Sequence, residues 1–96
     1  MNITITQAIK EQKILELRYH GYARTVEPHA YGRDNSGDEI LRCYQTSGGS
    51  ESGEREGWKL LKVREVISLH SINGSFLIRR EYKRNDKAMA YIFEQL

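Results

Sequence analysis

The sequence predicts a mainly β fold, a small barrel of short strands preceded by a short N-terminal helix. The first observation is the alternation of apolar and polar side chains over residues 15–19, Leu-Glu-Leu-Arg-Tyr, which is typical of a half-buried strand. The second is a set of turn signals rich in glycine, asparagine and aspartate that separates five or six such segments. The third is size, because 96 residues support one modest core. A barrel is favoured because closure removes unpaired strand edges, and residues 1–96 are expected to form a single domain.

The first half of the chain predicts a helix and a hairpin. A short helix is expected between Thr6 and Gln12, with the hydroxyl of Thr4 or Thr6 as its N-cap. A strand over residues 14–19 follows, and His20-Gly21 suits a tight turn because glycine accepts a positive φ. The next strand is predicted from residue 22 to residue 27 and should end at Pro28, which donates no hydrogen bond.

The second half predicts three more strands and a tail with two interpretations. A turn over residues 34–38 precedes a strand over 39–46, and residues 48–57 form a loop of glycine, serine and glutamate. Strands are expected over 58–63 and 66–72, and Asn73-Gly74 is a strong hairpin signal. Residues 88–96 suit a helical face or a strand; a short helical turn near Asp86 followed by a closing strand is favoured. The expected core residues are Leu15, Leu17, Val26, Leu41, Leu61 and Val63.

Composition narrows the cellular setting. The net charge of +2 is too small to indicate nucleic-acid binding by itself. Cys43 is the single cysteine, so neither an internal disulfide nor a cysteine-based zinc site is expected, and a reducing compartment is favoured. No signal pattern and no membrane-spanning apolar run is present. The expected location is the cytoplasm.

Residues with catalytic potential are scattered. His20, His29 and His70 share no metal-binding or catalytic spacing. Alternation places Cys43 beside Leu41 on the inner face, where it is expected to be inert filling. The loop over residues 48–57 is glycine-rich but lacks the lysine and the following helix of a phosphate-binding loop, although it could act as a lid. We therefore expect no enzyme activity, no metal and no cofactor.

Three cations lie among apolar neighbours in predicted strands: Arg24, Arg42 and Lys59. Burial of such a cation costs desolvation energy unless an anion pairs with it. One interpretation is that internal glutamates such as Glu16 or Glu27 supply that anion. The other is a ligand, whose phosphate or carboxylate the planar guanidinium group would hold.

Aromatic and basic residues extend the second interpretation. Tyr31 and Trp58 would offer stacking faces for a base, or would simply pack in the core or at its rim. Residues 79–87 carry five cations against two carboxylates. This basic segment is either a solvated surface or a surface that attracts nucleic acid or an acidic partner.

Five sequence segments follow one another between Thr6 and Leu69: QAI, LELRYHG, RTVEPHAYGR, ILRCYQ and WKLLKVREVISL. Their succession resembles the WYL domain of bacterial transcription regulators, especially small proteins made of that domain alone, and the ending YKRNDKAM is also similar. Two features differ. Of the Trp-Tyr-Leu triplet only Leu41 matches, and Lys59 and Leu61 stand at the family's arginine-x-phenylalanine pair.

The resemblance implies an SH3-like or Sm-like barrel that recognises single-stranded nucleic acid or a nucleotide-like anion, without catalysis. The alternative is a protein–protein interaction module that acts through an exposed strand edge. A protein partner or a homo-oligomer is compatible with either. The best-matched segments and the strand cations together predict one polar ligand-binding surface, formed by Arg24, His29, Tyr31, Arg33, Arg42 and Lys59.

Overall fold

The computed structural model describes residues 1–96 and consists of six antiparallel strands and one short helix. The mainly β prediction with an N-terminal helix is therefore confirmed. The elements in chain order are α1 (Ile3–Glu11), β1 (Lys13–Tyr19), β2 (Tyr22–Arg33), β3 (Glu39–Gly48), β4 (Gly57–Lys62), a 3₁₀ turn (Val63–Glu65), β5 (Val66–Ser75) and β6 (Tyr91–Gln95).

The strands form a single open sheet in the order β4-β3-β2-β1-β5, and β6 pairs with the last part of β2. The two ends of the order, β4 and β5, do not pair with each other. The sheet is therefore not closed by hydrogen bonds, and the predicted barrel is not confirmed. Neither the helix nor the 3₁₀ turn has the length and apolar character needed to cross a bilayer.

The helix begins earlier than the sequence predicts, because a different residue caps it. Asn2 is the N-cap, and its side-chain oxygen accepts the Ile5 N–H at 3.0 Å. Neither Thr4 nor Thr6 is the cap, and the Thr6 hydroxyl instead donates to the carbonyl of Ile3. The buried face of the helix covers the sheet with Ile5, Ala8 and Ile9.

The predicted turn at His20-Gly21 is confirmed, and both residues adopt positive φ. The predicted end of β2 at Pro28 is wrong, because the strand continues to Arg33. The register between β2 and β3 shifts between Pro28 and Ala30, so proline lies at a bulge, one of the places where a sheet tolerates it. A strand of this length pairs first with β1 and, beyond the bulge, with β6.

The hairpin predicted at Asn73-Gly74 is also wrong. Both residues lie inside β5, whose Ser75 still pairs with Lys13 of β1. The strand in the favoured interpretation of the tail is confirmed, because β6 pairs with β2. Near Asp86 the chain forms a single hydrogen-bonded turn, in which the N–H of Met89 donates to the carbonyl of Asp86, and no helix.

The main core lies between α1 and the inner face of the sheet. Five of the six predicted core residues are buried there, and Val63 is half-buried against them. Cys43 is also fully buried in this core. The buried members are Ile5, Ala8, Ile9, Leu15, Leu17, Tyr19, Val26, Tyr31, Leu41, Cys43 and Leu61.

A second, smaller apolar cluster lies on the opposite face of the sheet. It contains Ala30, Ile40 and Met89, and it is formed because residues 76–90, between β5 and β6, pass over that face. We call the face of β2, β3 and β4 that carries Ile40, Arg42 and Tyr44 the outer face, and we call residues 76–90 the covering segment. β3 is thus partly buried on both sides.

Candidate functional site

The covering segment is fixed to the outer face by two ion pairs. The guanidinium of Arg79 donates to the carboxylate of Glu27 at 2.8 Å, and its centre lies 3.7 Å from the centroid of the Tyr44 ring. Further along, Arg42 donates to both carboxylate oxygens of Asp86, at 2.7 and 3.3 Å. Glu27 is buried, and the ion pair with Arg79 balances its negative charge within the fold.

His29 lies under the covering segment and joins it to the sheet. The backbone N–H of Arg79 donates to Nε2 of His29 at 3.1 Å, and Nδ1 lies 2.9 Å from the carbonyl oxygen of Glu27. Because Nε2 accepts a hydrogen bond, the imidazole is neutral and carries its proton on Nδ1. Burial lowers the pKa of His29, which agrees with a neutral ring.

Aromatic rings surround His29. The centroids of Trp58, Phe76 and Tyr82 lie 4.8, 5.2 and 5.0 Å from that of the imidazole. Trp58 also contacts Tyr44 edge-on, and its ring is within 28° of parallel to Tyr82 at 6.2 Å. Trp58 and Tyr82 remain half-buried, so each presents part of its ring to the surface.

A cleft of about 540 Å³ opens beside these two rings, within the size range of small-molecule sites. Four cations and two carboxylates contribute to its wall. The lining residues are Arg42, Trp58, Glu81, Tyr82, Lys83, Arg84, Asn85, Asp86 and Lys87.

The charge of the cleft is unbalanced toward the positive. Arg42 is paired with Asp86, and the hydrogen bond from Arg42 holds the pKa of that carboxyl below its usual range. Lys83, Arg84 and Lys87 are exposed and form no ion pair with the protein. The arrangement therefore offers aromatic surface and three free cations side by side, which suits an anion that carries a ring.

The structure does not bring the six predicted ligand residues onto one surface. His29 and Tyr31 are fully buried, and Arg24 is only 5% exposed. Arg42 alone of the six lines the cleft. Arg33 is exposed at the end of β2, with its guanidinium centre 5.0 Å from the centroid of Phe93. Lys59 lies on the inner face, as the register partner of Cys43.

Tyr31 belongs to the scaffold. Its hydroxyl donates to the carboxylate of Glu39 and accepts the backbone N–H of Asn2 at 2.7 Å. Burial raises its pKa to about 12. Tyr31 thus ties the start of the helix to β2 and β3, and its ring packs against Phe93 in the core rather than facing a ligand.

Sequence reasoning missed Tyr82 and Asp86 as site residues, although it singled out the basic run around them. The available signal was an aromatic residue next to three cations within six positions. What the sequence did not show is that this run lies over Arg42 and Trp58, which are far away in the chain.

Comparison with protein-family models, with curated proteins and with solved structures gave no match. No group of three or more His, Cys, Asp or Glu side chains is arranged to hold a metal ion.

Proposed function

We propose that the chain is a non-catalytic ligand-binding module of the WYL type, and that its cleft recognises single-stranded nucleic acid or a nucleotide-like anion. In this proposal the rings of Trp58 and Tyr82 stack on a base, while Lys83, Arg84 and Lys87 contact phosphate. The antiparallel order of the strands behind an N-terminal helix supports a relation to the SH3-like or Sm-like barrels, here with its hydrogen-bonded sheet left open between β4 and β5.

The observation that carries the proposal is the position of unpaired cations beside two half-buried aromatic rings in one cleft. Stacking of one base on an aromatic side chain contributes about 1–3 kcal/mol. Each phosphate contact adds an electrostatic contribution that weakens with salt, because counterions are released on binding. A ligand with both a ring and a phosphate uses both parts of the cleft.

The predicted ligand residues enter this proposal in different ways. Arg42 lines the cleft and, through Asp86, positions the basic run. His29 and Tyr31 support it from within the fold. Arg24 and Lys59 lie on the inner face of the sheet, away from the outer face that carries the cleft.

The first prediction concerns the three free cations. Replacing Lys83, Arg84 and Lys87 with Gln should weaken binding of a short single-stranded oligonucleotide by at least about tenfold at low salt and flatten the dependence of affinity on salt. Fluorescence anisotropy of a labelled oligonucleotide at several salt concentrations measures both. Trp58 is the only tryptophan, so its emission reports on the cleft independently.

The matched control removes the same number of charges elsewhere. The triple change Lys10→Gln, Lys13→Gln and Arg18→Gln alters exposed cations of α1 and β1, and it should leave most of the affinity in place. Equal losses in the two triple variants would mean that only overall charge matters, and the cleft would then be the wrong site.

A second candidate function is a protein–protein interaction module that acts through a strand edge. It is favoured by the open edges of β4 and β5 at the ends of the sheet, and by Ile67 of β5, which is 63% exposed. Edge pairing would depend little on salt. A partner that binds equally well in low and high salt, with no oligonucleotide binding, would favour this alternative.

A further inference from the structure

Arg24 is a buried cation on the inner face of the sheet, and no carboxylate of the protein forms an ion pair with it. It is 5% exposed. Its guanidinium donates to the carbonyl oxygen of Tyr19 at 3.1 Å and, weakly, to the side-chain oxygen of Gln45 at 3.4 Å, both of which are uncharged. Its Nε is buried and has no hydrogen-bond partner.

Burial of such a group lowers the stability of the fold. An arginine cannot avoid the desolvation cost of a buried charge by losing its proton. A buried charge without a counter-charge is among the least favourable features of a fold. The rings of Tyr19 and Tyr22, with centroids 5.2 and 5.8 Å from the guanidinium centre, offset only part of that cost. The free Nε is also one of the donors through which arginine grips an oxyanion with two parallel hydrogen bonds.

Two further donors lie on the same inner face: Gln45 of β3, which contacts Arg24, and Lys59 of β4, the next strand along. The amide nitrogen of Gln45 donates to the carbonyl oxygen of Gly49 at 3.0 Å. The ammonium of Lys59 donates to the Ser50 hydroxyl at 3.3 Å and to the Glu54 carbonyl oxygen at 2.6 Å. Lys59, like Arg24, has no carboxylate partner.

The acceptors of Gln45 and Lys59 all belong to residues 49–56, the loop between β3 and β4, which we call loop 49–56. The loop thus covers the donors with uncharged oxygens. Its own carboxylate at Glu51 points instead to His20, whose Nδ1 lies 2.7 Å away. An anion bound by Gln45 and Lys59 together with Arg24 has to displace these loop contacts, because they occupy the donors of Gln45 and Lys59.

We propose that Arg24, Gln45 and Lys59 form a second binding site, for a small oxyanion such as phosphate, with loop 49–56 as its lid. Arg24 holds two oxygens of the anion through Nε and a terminal nitrogen, and Lys59 supplies the second positive charge. The site lies on the inner face of the sheet, so it is separate from the cleft beside Trp58 and does not depend on the function proposed for that cleft.

The test is a titration of the ¹⁵N-labelled protein with inorganic phosphate, at constant ionic strength kept with sodium chloride, followed by NMR. We expect saturable shifts of the Arg24 Nε–H resonance and of the backbone amides of loop 49–56. Arg24→Gln should weaken phosphate binding by at least about tenfold, and Lys59→Gln by a smaller factor. Arg18→Gln, which alters an exposed arginine of β1, should leave it unchanged.

Three results would overturn the proposal. They are an absence of saturable shifts in the wild-type protein, shifts confined to residues outside this site, and unchanged affinity in a folded Arg24→Gln variant. If Arg24→Gln does not fold, the less buried Lys59→Gln decides, since a folded protein with unchanged affinity contradicts the site. The triple variant of Lys83, Arg84 and Lys87 should bind phosphate normally, so failure of one site is distinguishable from failure of the other.

Discussion

His29 links the sheet to the covering segment through two hydrogen bonds. It accepts from the backbone of Arg79 through Nε2 and donates through Nδ1 to the carbonyl of Glu27. Both bonds require the neutral ring. Protonation would turn Nε2 into a donor that faces another donor, so His29 should make the stability of the fold sensitive to acid.

The pH prediction follows from the direction of the pKa shift. Burial lowers the pKa of His29 in the folded state, so the unfolded chain, with a value of about 6.5, binds a proton more readily. The stabilisation is present above about pH 6.5 and is lost as pH falls toward the folded value. His29→Gln should lower the free energy of unfolding at pH 7.5 by about 1–3 kcal/mol and reduce its fall between about pH 6.5 and 5. Urea unfolding at a series of pH values measures both.

His20 affects the pH dependence of stability with the opposite sign, and it is present in both the wild-type protein and the His29→Gln variant. Its pKa is raised, mainly by the hydrogen bond to Glu65, so its contribution is present below about pH 6.5 and is lost as pH rises through the raised folded value. The comparison between wild type and His29→Gln therefore isolates His29. His70→Gln is the matched control, because it makes the same substitution at an exposed position, where only a side-chain contact with Glu16 is lost. An identical pH dependence in His29→Gln would exclude the role assigned to His29.

Cys43 illustrates how strongly position controls reactivity. It is fully buried, and burial raises the pKa of its thiol to about 12, although three cations in its vicinity act in the other direction. At neutral pH almost none of it is thiolate, the reactive form. We expect a thiol reagent to label native Cys43 at least about a hundredfold more slowly than the chain unfolded in urea, because reaction requires opening of the core. Equal rates in the two conditions would contradict its place in the core.

The covering segment is the element on which the candidate site depends. It contains no helix or strand, and it is positioned by Arg79, by Asp86 and by apolar contacts of Phe76 and Met89. Tyr82 and the three free cations of the cleft lie between these attachment points. The cleft is therefore present only while the segment remains attached to the outer face.

Arg79→Ala should detach the first half of this segment. The change removes the ion pair and leaves the buried carboxylate of Glu27 without its partner. Arg79 is about one-third exposed, which moderates the cost, and we expect the free energy of unfolding to fall by about 1–3 kcal/mol. Urea unfolding followed by Trp58 emission measures the change, and the emission of the native state should also shift because Trp58 becomes more exposed.

Arg80→Ala is the control for this prediction. Arg80 is the adjacent residue, is exposed and forms no ion pair, so its removal should change stability by less than about 0.5 kcal/mol. If Arg79→Ala and Arg80→Ala behave alike, Arg79 does not hold the segment in place.

At the scale of the whole molecule, one sheet separates the two proposed binding sites. Arg42 and Trp58 lie on the outer face with the cleft, whereas Lys59 and Gln45 lie on the inner face, as Arg24 does. Neighbouring residues on β3 and β4 serve opposite sides because successive side chains of a strand alternate. Mutations on one face should therefore leave binding at the other largely intact.

Local sequence patterns predict much of the fold. Period-two alternation predicted β1, β3 and β4 and five buried core residues, and glycine chemistry predicted the turn at residues 20–21. The same alternation already separates Arg42 from Lys59, since one accompanies Tyr44 and the other accompanies Leu61. In the structure the two side chains do lie on opposite faces of the sheet.

The tertiary structure decided what no local pattern carries. The bulge after Pro28 lets β2 continue, although proline by itself signals an end. The partners of Arg42 and Glu27 lie 44 and 52 residues away, on a segment without regular structure. Periodicity reports which face a side chain takes, because that depends on its neighbours in the chain. It does not report what lies on that face, because the path of the covering segment is set by the sum of its contacts with the folded sheet.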